Sequence, residues 1–305
     1  MSPSRFRTSV RLPERRPRLA WPDSQDSPSG GDVGTSAGRG TVVARLREAG
    51  CVFAEDEAWL IVAEAATPAA LEAMVARRVA GEPLEYILGW AEFCGMRIAV
   101  TPGVFVPRHR SEALVGVAAR LLGAGAEDDA VTAGSIVADP IVVDLCCGSG
   151  AIAAAILRRV PSTNVYACDI DPVAVECART NVEPLGGRVF AGDLFGELPR
   201  NLLGSAAVIV ANAPYVPTSA IATMPPEARD HEHRIALDGG LDGTDVHRRI
   251  AAEAPAWLAP GGHLLIEAGR AQAATTARHM TSAGLAVTVV EDDGLDATVV
   301  VGRTP

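Results

Sequence analysis

The second half of the chain alternates short apolar runs with helical segments, and this alternation restricts the fold more than any other feature. The runs are IVVDL (141–145), NVYACDI (164–170), RVFAGD (188–193), AAVIVAN (206–212), GGHLLIEAG (261–269), LAVTVVED (285–292) and DATVVVGR (296–303). Strands that alternate with helices form βαβ crossovers, which build a parallel sheet covered by helices on both faces. The pattern therefore predicts a seven-stranded α/β domain over residues 111–305.

The first half of the chain has a different organisation. Residues 41–90 have helical spacing, with Thr67 as a cap and Pro68 at a first helical position, and they predict a small all-helical domain. The segment 91–110 alternates and contains the pair Pro102–Gly103, which predicts a β-hairpin linker with a Pro-Gly turn. Residues 1–40 are rich in Arg, Pro, Ser and Gly and lack periodicity, so they predict a disordered tail.

The charge balance disfavours a protein whose main partner is nucleic acid. The net charge is −10, and residues 41–305 carry 20 arginines against 33 acidic residues; proteins that grip bare DNA usually present a basic surface. Neither the six cysteines nor the six histidines show metal-ligand spacing, so no metal site is predicted. No apolar run has the ~20 residues that a membrane span requires. We therefore predict a cytoplasmic protein with reduced thiols, no membrane partner and no stable nucleic-acid partner.

The first strand runs into a glycine-rich turn, DLCCGSGAIAAAI, with the features of a cofactor site. Gly148 and Gly150 let main-chain amides approach a ligand, and the following helix directs its positive end there. Asp169 ends the second strand, where a carboxylate can accept both hydroxyls of a ribose. The turn lacks the third glycine of G-x-G-x-x-G, which gives a dinucleotide pyrophosphate its room. Acidic residues end several strands: Asp144, Asp169, Asp193 and Glu267. These acids suit a cationic sulfonium, which favours S-adenosylmethionine.

The fourth strand ends in NAPY (212–215), a rigid polar turn predicted to face the same crevice. Asn212 offers a side-chain carbonyl and Ala213 a main-chain carbonyl, and two fixed acceptors can hold both N–H bonds of a planar NH₂ group. Pro214 fixes the backbone, and Tyr215 presents a ring that can pack on a flat amide or base. An amide nitrogen is barely basic, so orientation and charge placement would carry much of the catalysis. These four residues are the predicted catalytic set for methyl transfer.

Together the motifs resemble the HemK/PrmC family of protein-(glutamine-N(5)) methyltransferases over most of residues 41–305. GEPLEYILGWAEFCGMRIAVTPGVFVPR is similar to its interdomain hairpin, VVDLCCGSGAIA to its cofactor loop, ACDIDPVAVECARTN to its ribose-binding segment and GDLF to its adenine-side segment. The chain departs from the family at NAPY, where NPPY is usual, at Cys146, where glycine is usual, and at PRHRSE in place of PRPETE. The resemblance is therefore to a divergent branch.

The resemblance implies a Rossmann-like class I methyltransferase sheet, S-adenosyl-L-methionine as cofactor and a helical N-terminal domain that recognises a protein substrate. It also implies a substrate, the glutamine of the GGQ loop of a peptide-chain release factor. Asn212 and the Ala213 carbonyl would then hold the glutamine amide, with Pro214 and Tyr215 shaping its slot. The expected cofactor-binding residues are Asp144, Cys146, Cys147, Gly148, Ser149, Gly150, Asp169, Asp193, Leu194 and Asn212.

Two alternatives stay open at this stage. An amino-methyltransferase of adenine or guanine would use a similar turn, because its target is also an NH₂ on a planar group, but it must extract a base and contact phosphates. The acidic body of the chain argues against it. A non-catalytic cofactor-binding protein that acts through protein contacts is the second alternative, and the presence of Asn212, Pro214 and Tyr215 argues against loss of activity.

Asp169→Ala is predicted to weaken S-adenosylmethionine affinity, because the ribose hydroxyls lose a charged acceptor. Isothermal titration calorimetry with the cofactor alone measures this directly. An affinity equal to that of the wild type would show that Asp169 does not contact the ribose.

Overall fold

The computed structural model describes residues 36–123 and 139–305, and four helices form its N-terminal unit. They are α1 (Ser36–Glu48), α2 (Ala54–Glu64), α3 (Pro68–Val79) and α4 (Leu84–Leu88). The predicted tail lies outside the described residues except for 36–40, which are helical. These five residues begin α1, whose Val42 and Leu46 pack into the core of the unit, so they differ from the predicted disordered tail.

Capping and apolar spacing explain these helices locally. The Thr67 hydroxyl accepts the Ala70 N–H at 3.1 Å, and Pro68 follows the cap, which confirms the predicted start of α3. Ile61 and Val75 are fully buried and meet the α1 side chains in one small core. Tertiary packing of these faces therefore stabilises helices that are too short to persist alone.

A two-stranded hairpin, β1 (Trp90–Phe93) and β2 (Met96–Ala99), follows the helices. Its turn is Cys94–Gly95, with φ values of 51° and 73°. The predicted Pro102–Gly103 turn is present, closed by the Val104 N–H on the Thr101 carbonyl at 3.1 Å, but it follows the hairpin and does not join its two strands. A two-residue hairpin turn with this twist needs positive φ at both positions, and a proline ring fixes φ near −65°. Gly103 instead accepts the His233 N–H at 2.8 Å and so connects the linker to a later loop.

The rest of the described chain is the predicted seven-stranded α/β unit. Its strands are β3 (Ile141–Leu145), β4 (Asn164–Asp169), β5 (Arg188–Ala191), β6 (Ala206–Ala211), β7 (Leu258–Glu267), β8 (Ala286–Asp292) and β9 (Ala297–Arg303). Its helices are α5 (Glu112–Leu121), α6 (Ala151–Arg159), α7 (Pro172–Val182), α8 (Pro226–His231), α9 (Asp245–Trp257) and α10 (Ala273–Ser282). A large apolar core covers each face of the sheet.

The strand order is β5-β4-β3-β6-β7-β9-β8. The predicted parallel pairing holds from β5 to β7, whereas β9 is antiparallel to both of its neighbours. A short connection, residues 293–296, joins β8 to β9, and so short a connection can join only antiparallel neighbours. Among the described residues, no helix combines the length and the apolar character needed to cross a membrane.

A buried arginine connects the helical unit to the seven-stranded unit. Arg78 is 7 % exposed, and its Nε donates to Glu57 Oε2 at 2.6 Å, while its Nη1 donates to Glu227 Oε1 at 2.7 Å. Glu57 is itself 8 % exposed. Two carboxylates thus surround one buried cation, and the ion pairs raise the pKa of Arg78 despite burial. The position of α3 is therefore coupled to α8.

Arg78→Ala should destabilise the fold by about 3 kcal/mol or more, because Glu57 is left buried without its cation. Arg45→Ala, which breaks an exposed pair with Glu72, is the matched control and should cost about 1 kcal/mol or less. Urea unfolding of both variants measures the difference. Equal losses would show that Glu57 gains nothing from Arg78.

Candidate active site

A cavity of about 1250 Å³ opens at the carboxyl ends of the central strands. In the sheet register, Leu145 of β3 lies beside Cys168 of β4 and Ala211 of β6. The residues that follow each of these positions therefore meet at one edge. The cavity is lined by most of the predicted site: Cys146, Cys147, Gly148, Ser149, Asp169, Asp193, Leu194, Asn212, Ala213, Pro214 and Tyr215.

The turn after β3 is a left-handed bend. Cys146 has a φ of 54° and Gly148 a φ of 55°, and Gly148 N donates to Asp169 Oδ2 at 2.8 Å. Positive φ explains why glycine is usual at position 146, since a side chain there is strained. A Cβ added at Gly148 would meet no atom within 4 Å, so this stretch of backbone borders open space.

Gly150 does not line the cavity, although it is predicted to bind the cofactor. Its φ is 75°, and an added Cβ would lie 2.6 Å from Val182 Cγ2 and 3.2 Å from Ala178 Cα. Glycine is needed here because α6 and α7 pack closely against this point. Gly150 thus serves helix packing, and its contact with the cofactor stays a prediction.

Asp144 does not line the cavity either, and its contact with the cofactor stays a prediction. Its side chain is fully buried; Oδ2 accepts the Ala153 N–H at 3.0 Å, and Oδ1 has no partner among the described residues. Burial raises the pKa of Asp144 to about 8, with the Ala153 amide opposing that shift. Asp144 thus anchors the first turn of α6 beneath the cofactor turn.

Asp169 lies at the end of β4 and lines the cavity. Its Oδ1 accepts the Asp171 N–H at 2.9 Å and its Oδ2 accepts Gly148 N, so the carboxylate shapes two turns. Burial raises its pKa, and these amides oppose the shift. Asp171 caps α7 by accepting the Val173 N–H at 2.9 Å, and it pairs with His233.

The β5 end of the cavity carries Asp193 and Leu194. Asp193 pairs with Arg249 of α9 at 2.7 Å on a half-exposed surface. Leu194 has a φ of 53° and is buried at 6 % exposure. The left-handed backbone at Leu194 belongs to the turn that follows β5 and lines the cavity.

The NAPY turn is held from two sides. Asn212 Nδ2 donates to Ser111 Oγ at 3.0 Å, so Oδ1 is the amide atom left to accept a hydrogen bond. The Tyr215 carbonyl accepts the Gln272 Nε2–H at 2.6 Å. Burial lowers the pKa of His247 to about 4, and the Ala213 carbonyl beside the ring opposes that shift. The imidazole next to the turn is therefore neutral at physiological pH.

Three residues of this site were missed or left without a role by the sequence analysis. Arg110 and Ser111 precede α5 and line the cavity. The Arg110 Cζ atom lies 5.6 Å from the centroid of the Tyr215 ring, and Arg110 Nε lies 3.3 Å from Glu267 Oε1. Ser111 contacts Asn212 across about a hundred positions of sequence, so no local pattern could have indicated it. Glu267 was noted only as an acid at a strand end.

The linker also brings together Glu92, His109 and Glu112, whose ligand atoms all lie within 4.8 Å of one another. Sequence spacing did not indicate this group, because the hairpin brings together residues that are distant along the chain. The His109 side chain is 68 % exposed and lies 3.0 Å from Glu112 Oε1.

The strand order, the glycine turn at β3 and the NAPY turn at β6 together define a class I methyltransferase. The family model for the methyltransferase small domain matches residues 113–225. A release factor glutamine methyltransferase of Geobacter sulfurreducens is 39% identical over 235 residues, 76% of this chain and 77% of that protein. The chain belongs to the release factor glutamine methyltransferase (HemK/PrmC) family, which confirms the resemblance, and it is an enzyme that uses S-adenosylmethionine.

Two further relatives show the range of this family. A release factor glutamine methyltransferase of Mycolicibacterium smegmatis is 37% identical over 221 residues, 71% of this chain and 72% of that protein. A 4-amino-L-phenylalanine/4-methylamino-L-phenylalanine methyltransferase of Streptomyces pristinaespiralis is 37% identical over 201 residues, 66% of this chain and 66% of that protein. Similar sequences therefore carry names for two kinds of nitrogen acceptor.

Asp144→Asn should flatten part of the pH dependence of stability. Because folding raises the pKa of Asp144 from 3.8 to about 8, its contribution is favourable at low pH and is lost as pH rises between about 4 and about 8. The asparagine Oδ1 can still accept the Ala153 N–H. Thermal melts across this pH range should show the variant gaining on the wild type as pH rises. Parallel pH curves would show that Asp144 ionises normally.

Proposed function

We propose that this enzyme methylates the side-chain amide nitrogen of a glutamine in a peptide-chain release factor. The observation that carries the proposal is the bond from Asn212 Nδ2 to Ser111 Oγ, because it turns Oδ1 into the acceptor that a carboxamide NH₂ requires. The names of the Geobacter and Mycolicibacterium relatives support the same substrate.

The cavity residues fit S-adenosylmethionine. Open space beside Gly148 gives a ligand access to the main chain, and Asp169 retains oxygen lone pairs that can accept from ribose hydroxyls. The expected cofactor set is Asp144, Cys146, Cys147, Gly148, Ser149, Gly150, Asp169, Asp193, Leu194 and Asn212, all of which except Asp144 and Gly150 line the cavity. When bound, S-adenosylmethionine supplies an electrophilic methyl group beside acidic residues that favour its positive charge.

The NAPY turn positions the acceptor nitrogen. Asn212 Oδ1 and the Ala213 carbonyl would each accept one N–H of the glutamine amide, and the direction of its remaining lone pair is thereby fixed. Ala213 is 1 % exposed, so this contact forms in a site with little competing water. Tyr215 packs on the flat amide. Burial raises the pKa of Tyr215 to about 12, so the phenol is neutral and acts through packing and not as a base.

The helical unit, residues 41–90, is proposed to recognise the protein substrate. Arg78 pairs with Glu227, and Glu227 lines the cavity. A protein docked on α3 would therefore also contact the wall of the active site. The 91–110 linker supports the same wall, because Arg108 pairs with the buried Glu232.

The proposal also includes the kind of partner and the cellular compartment. The acidic body of the chain favours a protein partner over nucleic acid. All six cysteines are free thiols, which fits the reducing cytoplasm.

Asn212→Ala should fold and bind S-adenosylmethionine but lose nearly all glutamine methylation, because the nitrogen is no longer oriented. Removal of one preorganised hydrogen-bond partner costs about 10²–10³ in turnover in comparable sites. The assay uses labelled cofactor with purified release factor. Wild-type turnover by the variant would contradict the assigned role.

Competing acceptors test the substrate itself. The wild-type enzyme is offered release factor, a release factor with its GGQ glutamine changed to alanine, 4-amino-L-phenylalanine and transfer RNA, followed by mass spectrometry. Methylation of the first alone supports the proposal, and methylation of either of the last two with an unmodified release factor overturns it. Release factors from cells with and without the enzyme extend the test.

A further inference from the structure

The direction of the Asn212 amide depends on the proton of Ser111. A serine hydroxyl can either donate or accept, so Ser111 alone could bind the amide nitrogen or, with the amide turned over, the amide oxygen. Asn212 Nδ2 donates to Ser111 Oγ at 3.0 Å, and Ser111 is 2 % exposed. Water is thus largely excluded from this contact, and another protein group must take the hydroxyl proton.

Glu267 is the group placed to take that proton. It ends β7, where the register sets Ala211 beside Ile266 and therefore Asn212 beside Glu267. Glu267 is 2 % exposed, and neither of its oxygens has a partner with full hydrogen-bonding geometry among the described residues. Burial raises its pKa, while the Ser111 hydroxyl and the Arg110 guanidinium oppose that shift. The Arg110 guanidinium, whose Nε lies 3.3 Å from Glu267 Oε1, favours the carboxylate form. A carboxylate only accepts, so Ser111 would donate to Glu267 and accept from Asn212.

The same carboxylate also contacts the other wall of the amide slot. Arg110 Nε lies 3.3 Å from Glu267 Oε1, and the Arg110 guanidinium stacks over the Tyr215 ring at 5.6 Å. Two consecutive residues of the segment before α5 therefore converge on Glu267. Ser111 contacts the Asn212 side chain, and Arg110 contacts the Tyr215 ring.

We propose that Glu267 is a positioning residue that orients the Asn212 amide through Ser111 and holds the Tyr215 ring through Arg110. The inference rests on the proposed function, because it explains why Asn212 presents an oxygen and so selects an acceptor nitrogen that carries N–H bonds. Glu267 does not touch the substrate. Its effect reaches the substrate only through the two residues that precede α5.

The test is a double-mutant cycle with release factor as the acceptor. Ser111→Ala, Glu267→Ala and the double variant should each lower kcat by about tenfold to a hundredfold, with KM for release factor and cofactor affinity little changed. The kcat of the double variant should fall no further than that of the more impaired single variant. Ser111 and Glu267 act on Asn212 through the same contact, so removing either residue already removes the effect. Glu267→Gln keeps an acceptor for Ser111 and should lose less than Glu267→Ala.

A second readout follows Asn212 without any turnover. Its side-chain ¹⁵NH₂ signals, assigned by their loss in Asn212→Ala, should exchange slowly with solvent in the wild type and faster in Ser111→Ala and Glu267→Ala. Glu57→Ala removes another buried carboxylate that pairs with an arginine, and it should leave this exchange unchanged. The control separates a local effect from general destabilisation.

The outcomes are distinguishable from failure of the proposed function. Additive losses in the double variant, or unchanged kcat and unchanged Asn212 exchange in Glu267→Ala, overturn the inference while release-factor methylation by the wild type still stands. A wild-type enzyme that leaves release factor unmodified overturns the proposed function instead. In that case slow Asn212 exchange that depends on Glu267 still supports the positioning role.

Discussion

The parallel register of β3, β4 and β6 is the constraint on which the site depends. Adjacent parallel strands end at the same edge, so Leu145, Cys168 and Ala211 lie side by side and the next residue of each strand enters one cleft. A shift of one residue in either pairing would turn the following side chains to the opposite face of the sheet. Burial of both faces prevents that shift, because the apolar side chains would lose their cores.

The same edge gathers carboxylates in a place where charge is costly. Asp144 and Glu267 are buried at the ends of their strands, and burial raises the pKa of both. Main-chain amides and one arginine offset part of this cost. Each carboxylate thereby fixes a neighbouring element: Asp144 fixes the first turn of α6, and Glu267 fixes the segment before α5. The contacts that offset the cost of burying these acids therefore also fix the turns that form the cleft.

Sequence reasoning found the strands because each is a short apolar run, and it found NAPY because a polar turn after such a run is unusual. It failed where side chains meet across the fold. The close packing of Gly150 against α7 was not foreseen, since a glycine pattern cannot separate packing from ligand contact. The hairpin turn was misplaced because Cys94 adopts a positive φ that its residue type disfavours. Ser111 had no sequence signal at all.

The departure at Ala213 has a structural counterpart. A proline restricts the unfolded chain and so stabilises a compatible fold by roughly 0.4–1 kcal/mol, and alanine gives up this contribution. In this chain the residue is 1 % exposed and lies against His247, a fully buried imidazole whose Nδ1 is 2.9 Å from Thr276 Oγ1. Burial lowers the pKa of His247 and keeps its ring neutral, so Nε2 can carry the single ring proton and direct it toward the Ala213 carbonyl. This carbonyl raises the pKa of His247 and so opposes the effect of burial. The threonine then donates to Nδ1. Packing from α9 and α10 therefore restricts the peptide that a proline ring would otherwise restrict.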